Sequence, residues 1–203
     1  MWKGSFFLNQ EIEIEFKNIL TLEEFDSLVE AFSLTSGDFK LQVNHYFDTL
    51  DFSLKASSSA LRIRVKGERY TLTLKQPARI GLLETHQPLT QQQANLLLTN
   101  GVFPAGDIST LIHQQGIDPT NIFYFGSLTT NRAELVFENG LLVLDHSHYL
   151  NTDDYEIEYE VSDEKAGQVI FNKLLKTYHI PIRIAENKIM RFYLRKQNLL
   201  NGD

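Results

Sequence analysis

Charged side chains recur in this sequence at every second position, with apolar residues between them. Glu11, Glu13, Glu15 and Lys17 alternate with Ile12, Ile14 and Phe16. Arg62, Arg64 and Lys66 alternate with Leu61, Ile63 and Val65, and Thr71, Thr73 and Lys75 with Leu72 and Leu74. Glu84, Arg132 with Glu134, and Asp145 stand in largely apolar runs, and Glu156, Glu158 and Glu160 alternate with Ile157 and Tyr159. A period of two places each set on one face of a strand. Carboxylates so spaced lie about 7 Å apart. At an effective dielectric near 20 each adjacent pair repels by about 2 kcal/mol. Two such acidic strands brought together call for a cation, and Mg²⁺ or Mn²⁺, as hard ions, take carboxylate oxygens. The Arg and Lys strands call for an anion, and Arg forks fit phosphate oxygens. The pattern predicts an inward polar face that holds metal and polyphosphate together, with the apolar set facing outwards under helices. A lipid carrier would show the reverse.

These residues need strands to position them. The patterning predicts a first strand from about Phe7 to Lys17, and a helix N-capped by Thr21 with Leu22, Phe25, Leu28, Val29 and Phe32 on one face. Strands are expected at 41–48, 59–66, 69–76 and 80–88, with Gly67-Glu68 as a hairpin turn. A helix from Thr90 to Asn100 stops at Gly101, and a shorter one is expected at about 107–115. Ile122–Phe137 reads as strand, broken or turned near Gly126. Asn139-Gly140 then signals a type I′ hairpin, with strands at 141–149 and 154–161. Ser162-Asp163-Glu164 caps a helix to about His179, stopped by Pro181, and a last helix covers Glu186–Leu199. Eight hairpin-linked strands with helices between and after them give an α+β fold on an antiparallel sheet, a number that suits a closed barrel.

Composition narrows the class. The 203 residues are 42% hydrophobic and 11% aromatic, enough for a globular core, and no linker or repeat divides them. The formal charge of −7 disfavours nucleic acid and anionic lipid as partners. No cysteine is present, which excludes disulfides, thiolate metal sites and cysteine nucleophiles. Met1–Leu8 is too short an apolar run for a signal peptide, and no run reaches a membrane span, so a cytoplasmic protein is expected. No Walker-type Gly-rich loop and no Ser-His arrangement is evident. His146 and His148 share strand parity but are expected on a partly exposed face. Ser57-Ser58-Ser59 reads as loop, Phe123-Tyr124-Phe125 as core or helix-packing surface, and Tyr46 and Asp48 either as contacts of the site or as structural residues at a strand end.

The ordered set resembles the CYTH, or triphosphate tunnel metalloenzyme, superfamily. Glu13-Ile14-Glu15-Phe16-Lys17 matches its Glu-x-Glu-x-Lys signature, and Tyr46-Phe47-Asp48-Thr49 is similar to its Tyr-Tyr/Phe-Asp-Thr segment. Leu61-Arg62-Ile63-Arg64 resembles its Arg-x-Arg strand, Glu156-Ile157-Glu158 its late Glu-x-Glu, and Lys188 with Arg191 its closing Lys-x-x-Arg. Lys75, Glu84, Arg132 and Asp145 fall where later strands of the family supply a Lys, Glu, Arg and Asp. The likeness is strongest to the small bacterial Firmicute-type members. It implies one domain over 1–203, an eight-stranded antiparallel β-tunnel with helices packed outside.

By the same resemblance, Glu13, Glu15, Asp145, Glu156 and Glu158 would bind one or two Mg²⁺ or Mn²⁺ ions. Glu160, also in phase, makes Glu158/Glu160 an alternative late pair. Lys17, Arg62, Arg64, Lys75, Arg132, Lys188 and Arg191 would bind the triphosphate, with Glu13, Glu15, Glu156 and Glu158 as the catalytic carboxylates. The expected activity is metal-dependent hydrolysis of inorganic triphosphate or an organic triphosphate such as thiamine triphosphate. A class IV-type adenylate cyclase and a non-catalytic polyphosphate- or nucleotide-binding module are the alternatives, as a monomer or a homodimer.

Overall fold

The structure, a computed structural model, describes residues 9–184 and 186–201. The opening Met1–Leu8 segment, with the expected strand start at Phe7, lies outside the described residues. The strands are β1 (Gln10–Leu20), β2 (Lys40–Asp48), β3 (Ala60–Lys66), β4 (Arg69–Pro77), β5 (Leu82–Leu89), β6 (Phe123–Phe137), β7 (Gly140–Tyr149) and β8 (Thr152–Val161). The helices are α1 (Leu22–Ala31), α2 (Ser53–Ala56), α3 (Gln91–Asn100), α4 (Asp107–Gln114), α5 (Glu164–Thr177) and α6 (Lys188–Asn201). The strands hydrogen-bond in the order β1-β5-β4-β3-β2-β6-β7-β8 and close into a barrel. No helix among the described residues is long and apolar enough to cross a membrane.

The chain forms two compact units, one of residues up to Ile12 with His45–Gly126, the other of Glu13–Asn44 with Ser127 onward. In the first, Leu61, Ile63, Leu72 and Leu74 are fully buried against Ala94 and Leu97 of α3 and Ile108 and Ile112 of α4. In the second, Leu142, Leu144, Ile157 and Tyr159 pack on Phe25 and Leu28 of α1 and Phe171, Leu174 and Leu175 of α5. The alternation therefore sends apolar side chains under helices in each unit, except that Ile12 stays 53% exposed.

Local chemistry sets the helix ends. Thr21 and Glu24 form a reciprocal capping box, as do Thr90 and Gln93, and Gly101 closes α3 in the left-handed region. The last helix starts at Lys188 rather than Glu186, because Asn187 Oδ1 accepts from Met190 N and serves as its cap. Between α5 and α6, buried Asn18 donates to Pro181 O and accepts from Arg183 N, while Arg183 grips both oxygens of Glu24.

Two turn expectations are corrected. Strand β6 runs through Gly126 without a break. Phe137 pairs with Gly140, so the two-residue hairpin turn is Glu138-Asn139, with Glu138 at φ 49°, rather than Asn139-Gly140. Gly140 is a ladder residue, where an added Cβ would lie 2.5 Å from Glu160 O and 2.7 Å from the Tyr159 ring. Gly140→Ala is expected to lower stability by about 1–3 kcal/mol, read as a lower urea midpoint at unchanged slope.

Candidate active site

The polar face of the second unit is built by register. Arg132 lies opposite Asp145, and Asp145 opposite Glu156. Glu158 faces Lys17, and Glu160 faces Glu15. Side chains of four adjacent strands thus converge opposite the helix-covered face. Arg132 forks onto Asp145, with Nε 2.8 Å from Oδ1 and Nη2 2.6 Å from Oδ2, and Nη2 reaches Glu158 Oε2 at 2.6 Å. Lys188 Nζ lies 2.9 Å from Asp145 Oδ2 and 2.6 Å from Glu156 Oε2, and also pairs with Glu158 Oε1. Arg191 ties Asp154 at 2.8 Å and Glu156 at 2.9 Å. Lys17 pairs with Glu15 at 2.5 Å. All three late cations expected on phosphate therefore rest on carboxylates here.

The electrostatics follow from burial and neighbours. Burial alone would raise the Glu158 and Asp145 carboxyls, but Lys188 and Arg132 hold both below the ordinary range. Lys17 is raised, because Glu15, Glu158 and Glu156 outweigh the effect of its burial. Glu160 behaves in the opposite way. Burial pushes it up to about 7, and Glu13, Glu158 and Glu15 add to this against the opposing pull of Arg132, whose Nη1 lies 3.8 Å away. A raised carboxyl keeps its proton in the folded chain, so stability falls as pH rises from about 4.5 through about 7. Glu160→Gln is accordingly expected to raise Tm over wild type at pH 8 in chelator, and to leave it unchanged at pH 4.5.

The first unit carries its own polar face. Arg62, Thr73 and His86 fall in one register row, with Lys75 and Glu84 beside them. Lys75 pairs with buried Glu84, Arg62 Nη2 is 3.9 Å from the same oxygen, and Arg64 is half-buried. His86 Nε2 lies 3.0 Å from Glu11 and 3.4 Å from Glu84, while its Nδ1 meets Thr73 Oγ1. Ligand atoms of Glu11, Glu84 and His86 all lie within 4.8 Å of one another, close enough to share one ion. His86 was not among the residues expected from the sequence. Its signal was available, since it follows Glu84 at the same two-residue spacing.

Other candidates fall outside this chemistry. His146 and His148 both reach Asp153, and His146 stacks on Tyr155, away from the acidic cluster. Asp48 is structural, accepting from the backbone N–H groups of Thr49, Leu54 and Lys55 and so organising the turn into α2. Tyr124 packs on His45 and Phe47, and Phe125 on Tyr46 and Phe52.

A family profile described as the CYTH domain matches residues 11–193. YjbK of Bacillus subtilis (strain 168), provisionally named a triphosphatase, is 52% identical over 190 residues, spanning 94% of this chain and 98% of that protein. A crystal structure from Bacillus halodurans, provisionally described as an adenylate cyclase, is 47% identical with a TM-score of 0.89. It covers 92% of this chain and 100% of that one. A Hippeastrum protein whose structure is reported with a dominant triphosphatase activity is 24% identical, with a TM-score of 0.75 over 90% of this chain and 95% of its own. That last likeness carries the fold alone.

Proposed function

The chain belongs to the CYTH-domain family, and from that membership we propose that it is a metal-dependent triphosphatase acting on inorganic triphosphate or an organic triphosphate, with residues 1–203 working as one domain. The observation that carries the reading is the crowding of Glu13, Glu15, Glu158 and Glu160, whose repulsion adds to burial in pushing the Glu160 carboxyl up to about 7. Such crowding fits a divalent ion, because the donors are all carboxylate oxygens, suited to Mg²⁺ or Mn²⁺. Glu13, Glu15, Asp145, Glu156, Glu158 and Glu160 would hold it, and Glu11, Glu84 and His86 are close enough to one another to hold a separate ion. When bound, the ion would supply positive charge against phosphoryl oxygens.

The chain's own residues do the rest. Arg62, Arg64, Lys75 and Lys17 grip phosphate oxygens, and Arg132, Lys188 and Arg191 stand by in the carboxylate cluster. Phosphoryl transfer depends on positioning and charge neutralisation rather than a protein nucleophile. A β8 glutamate orients the attacking water. The test is phosphate release from inorganic triphosphate, thiamine triphosphate and ATP, each with Mg²⁺ or Mn²⁺ and again with chelator. Turnover of one of them, abolished by chelation, is the expected result. Cyclic AMP and pyrophosphate from ATP would instead select the cyclase reading suggested by the name of the Bacillus halodurans relative. Binding without turnover would leave a polyphosphate-binding module.

A further inference from the structure

We infer that Lys188 is a built-in counter-ion at the metal position, so that a divalent ion taken up by Asp145, Glu156 and Glu158 displaces it and undocks the start of α6. The inference rests on the metal reading above and adds a conformational consequence to it. The Lys188 ammonium sits where one oxygen from each of three carboxylates converges. Carboxylates bind Mg²⁺ or Mn²⁺ at close range through these same oxygens. An ammonium still in contact with them would then stand about 3 Å from a double positive charge. The two cations exclude each other.

Which cation leaves is decided by what holds it. Arg132 also neutralises Asp145 and Glu158, but it projects from β6, whose ladder to β7 runs from Thr129 to Phe137, and it grips Asp145 with two nitrogens. Lys188 is the first residue of α6, and it meets the cluster through a single ammonium. One turn on, Arg191 binds Glu156, a carboxylate that Lys188 shares. Loss of Glu156 to an ion therefore weakens both fastenings of the helix start at once, and leaves Arg191 on Asp154 at 2.8 Å. Tyr149 against Phe192, at 5.8 Å between rings, is an apolar contact that the ion does not touch. Once displaced, the ammonium becomes available to a phosphate oxygen, so the same lysine serves in turn as counter-ion and as substrate contact.

The deciding measurement is amide hydrogen exchange of the wild-type chain with and without saturating Mn²⁺, with binding followed by calorimetry. Faster exchange in peptides covering 188–194, with α5 unchanged, is expected. A parallel titration of Lys188→Met is expected to show at least tenfold tighter Mn²⁺ binding. If Mn²⁺ binds the wild type and exchange over 188–194 does not change, the displacement is overturned and the metal reading stands, whatever the variant does. If Mn²⁺ does not bind, both fall.

Discussion

Arg132→Met is expected to destabilise the protein by about 3–5 kcal/mol, the range for breaking a buried charge pair from one side. The guanidinium is buried beside Asp145 and Glu158, and both carboxylates are held below their ordinary range partly by it. Without it Lys188 alone faces both, together with Glu156, and the fully buried Asp145 loses two hydrogen bonds. Protonation of Asp145 would offset part of the loss, so the defect should shrink toward low pH. Adding Asp145→Asn to Arg132→Met should recover part of the stability. A pair coupled through direct contact shows that non-additivity, and independent sites do not. Urea unfolding of the two single variants and the double variant checks both statements. A loss below about 1 kcal/mol would place the pair with exposed salt bridges and contradict the burial argument.

Glu13→Ala is expected to have the largest effect on turnover, a loss of about 10²–10³-fold, the scale for removing one group that stabilises charge in the transition state. Its effect on folding should have the opposite sign. Glu13 is half-buried and contributes to the repulsion that raises Glu160. Removing it relieves the crowd, so Tm in chelator should stay level or rise while phosphate release collapses. That split separates a functional carboxylate from a structural one, whose removal would lower both. Phosphate release and thermal unfolding on one preparation are sufficient to read it. Equal turnover in variant and wild type would remove Glu13 from the site.

Strand alternation made much of this fold readable in advance. The period of two survives packing because each strand has one face under helices, and Leu61, Ile63, Leu72 and Leu74 could be assigned to that face by parity alone. The capping boxes at Thr21 and Thr90 were local and equally plain. What was not legible depends on contacts distant in sequence. The family resemblance assigns Lys188 and Arg132 to phosphate, and their carboxylate partners could not be read from the sequence. Only the ladder register brings Asp145, Glu156 and Glu158 to them. The glycine after Asn139 suggested a turn for its φ freedom, whereas Tyr159 and the Glu160 carbonyl require it for space. His86 escaped notice because its partner Glu11 lies on another strand, 75 residues away.

The fastening of Pro181 and Arg183 to Asn18 and Glu24 has a consequence for the helix that follows. Arg183 is held, and Lys188 comes five positions later in the chain (188 − 183). Fully extended, that segment spans at most about 18 Å. A tether of this reach keeps the ammonium near the acidic cluster at an effective concentration on the order of millimolar. A divalent ion entering from solution therefore competes with a neighbour that cannot diffuse away. Dilution of the protein leaves the contest unchanged, and only the ion's own concentration tips it.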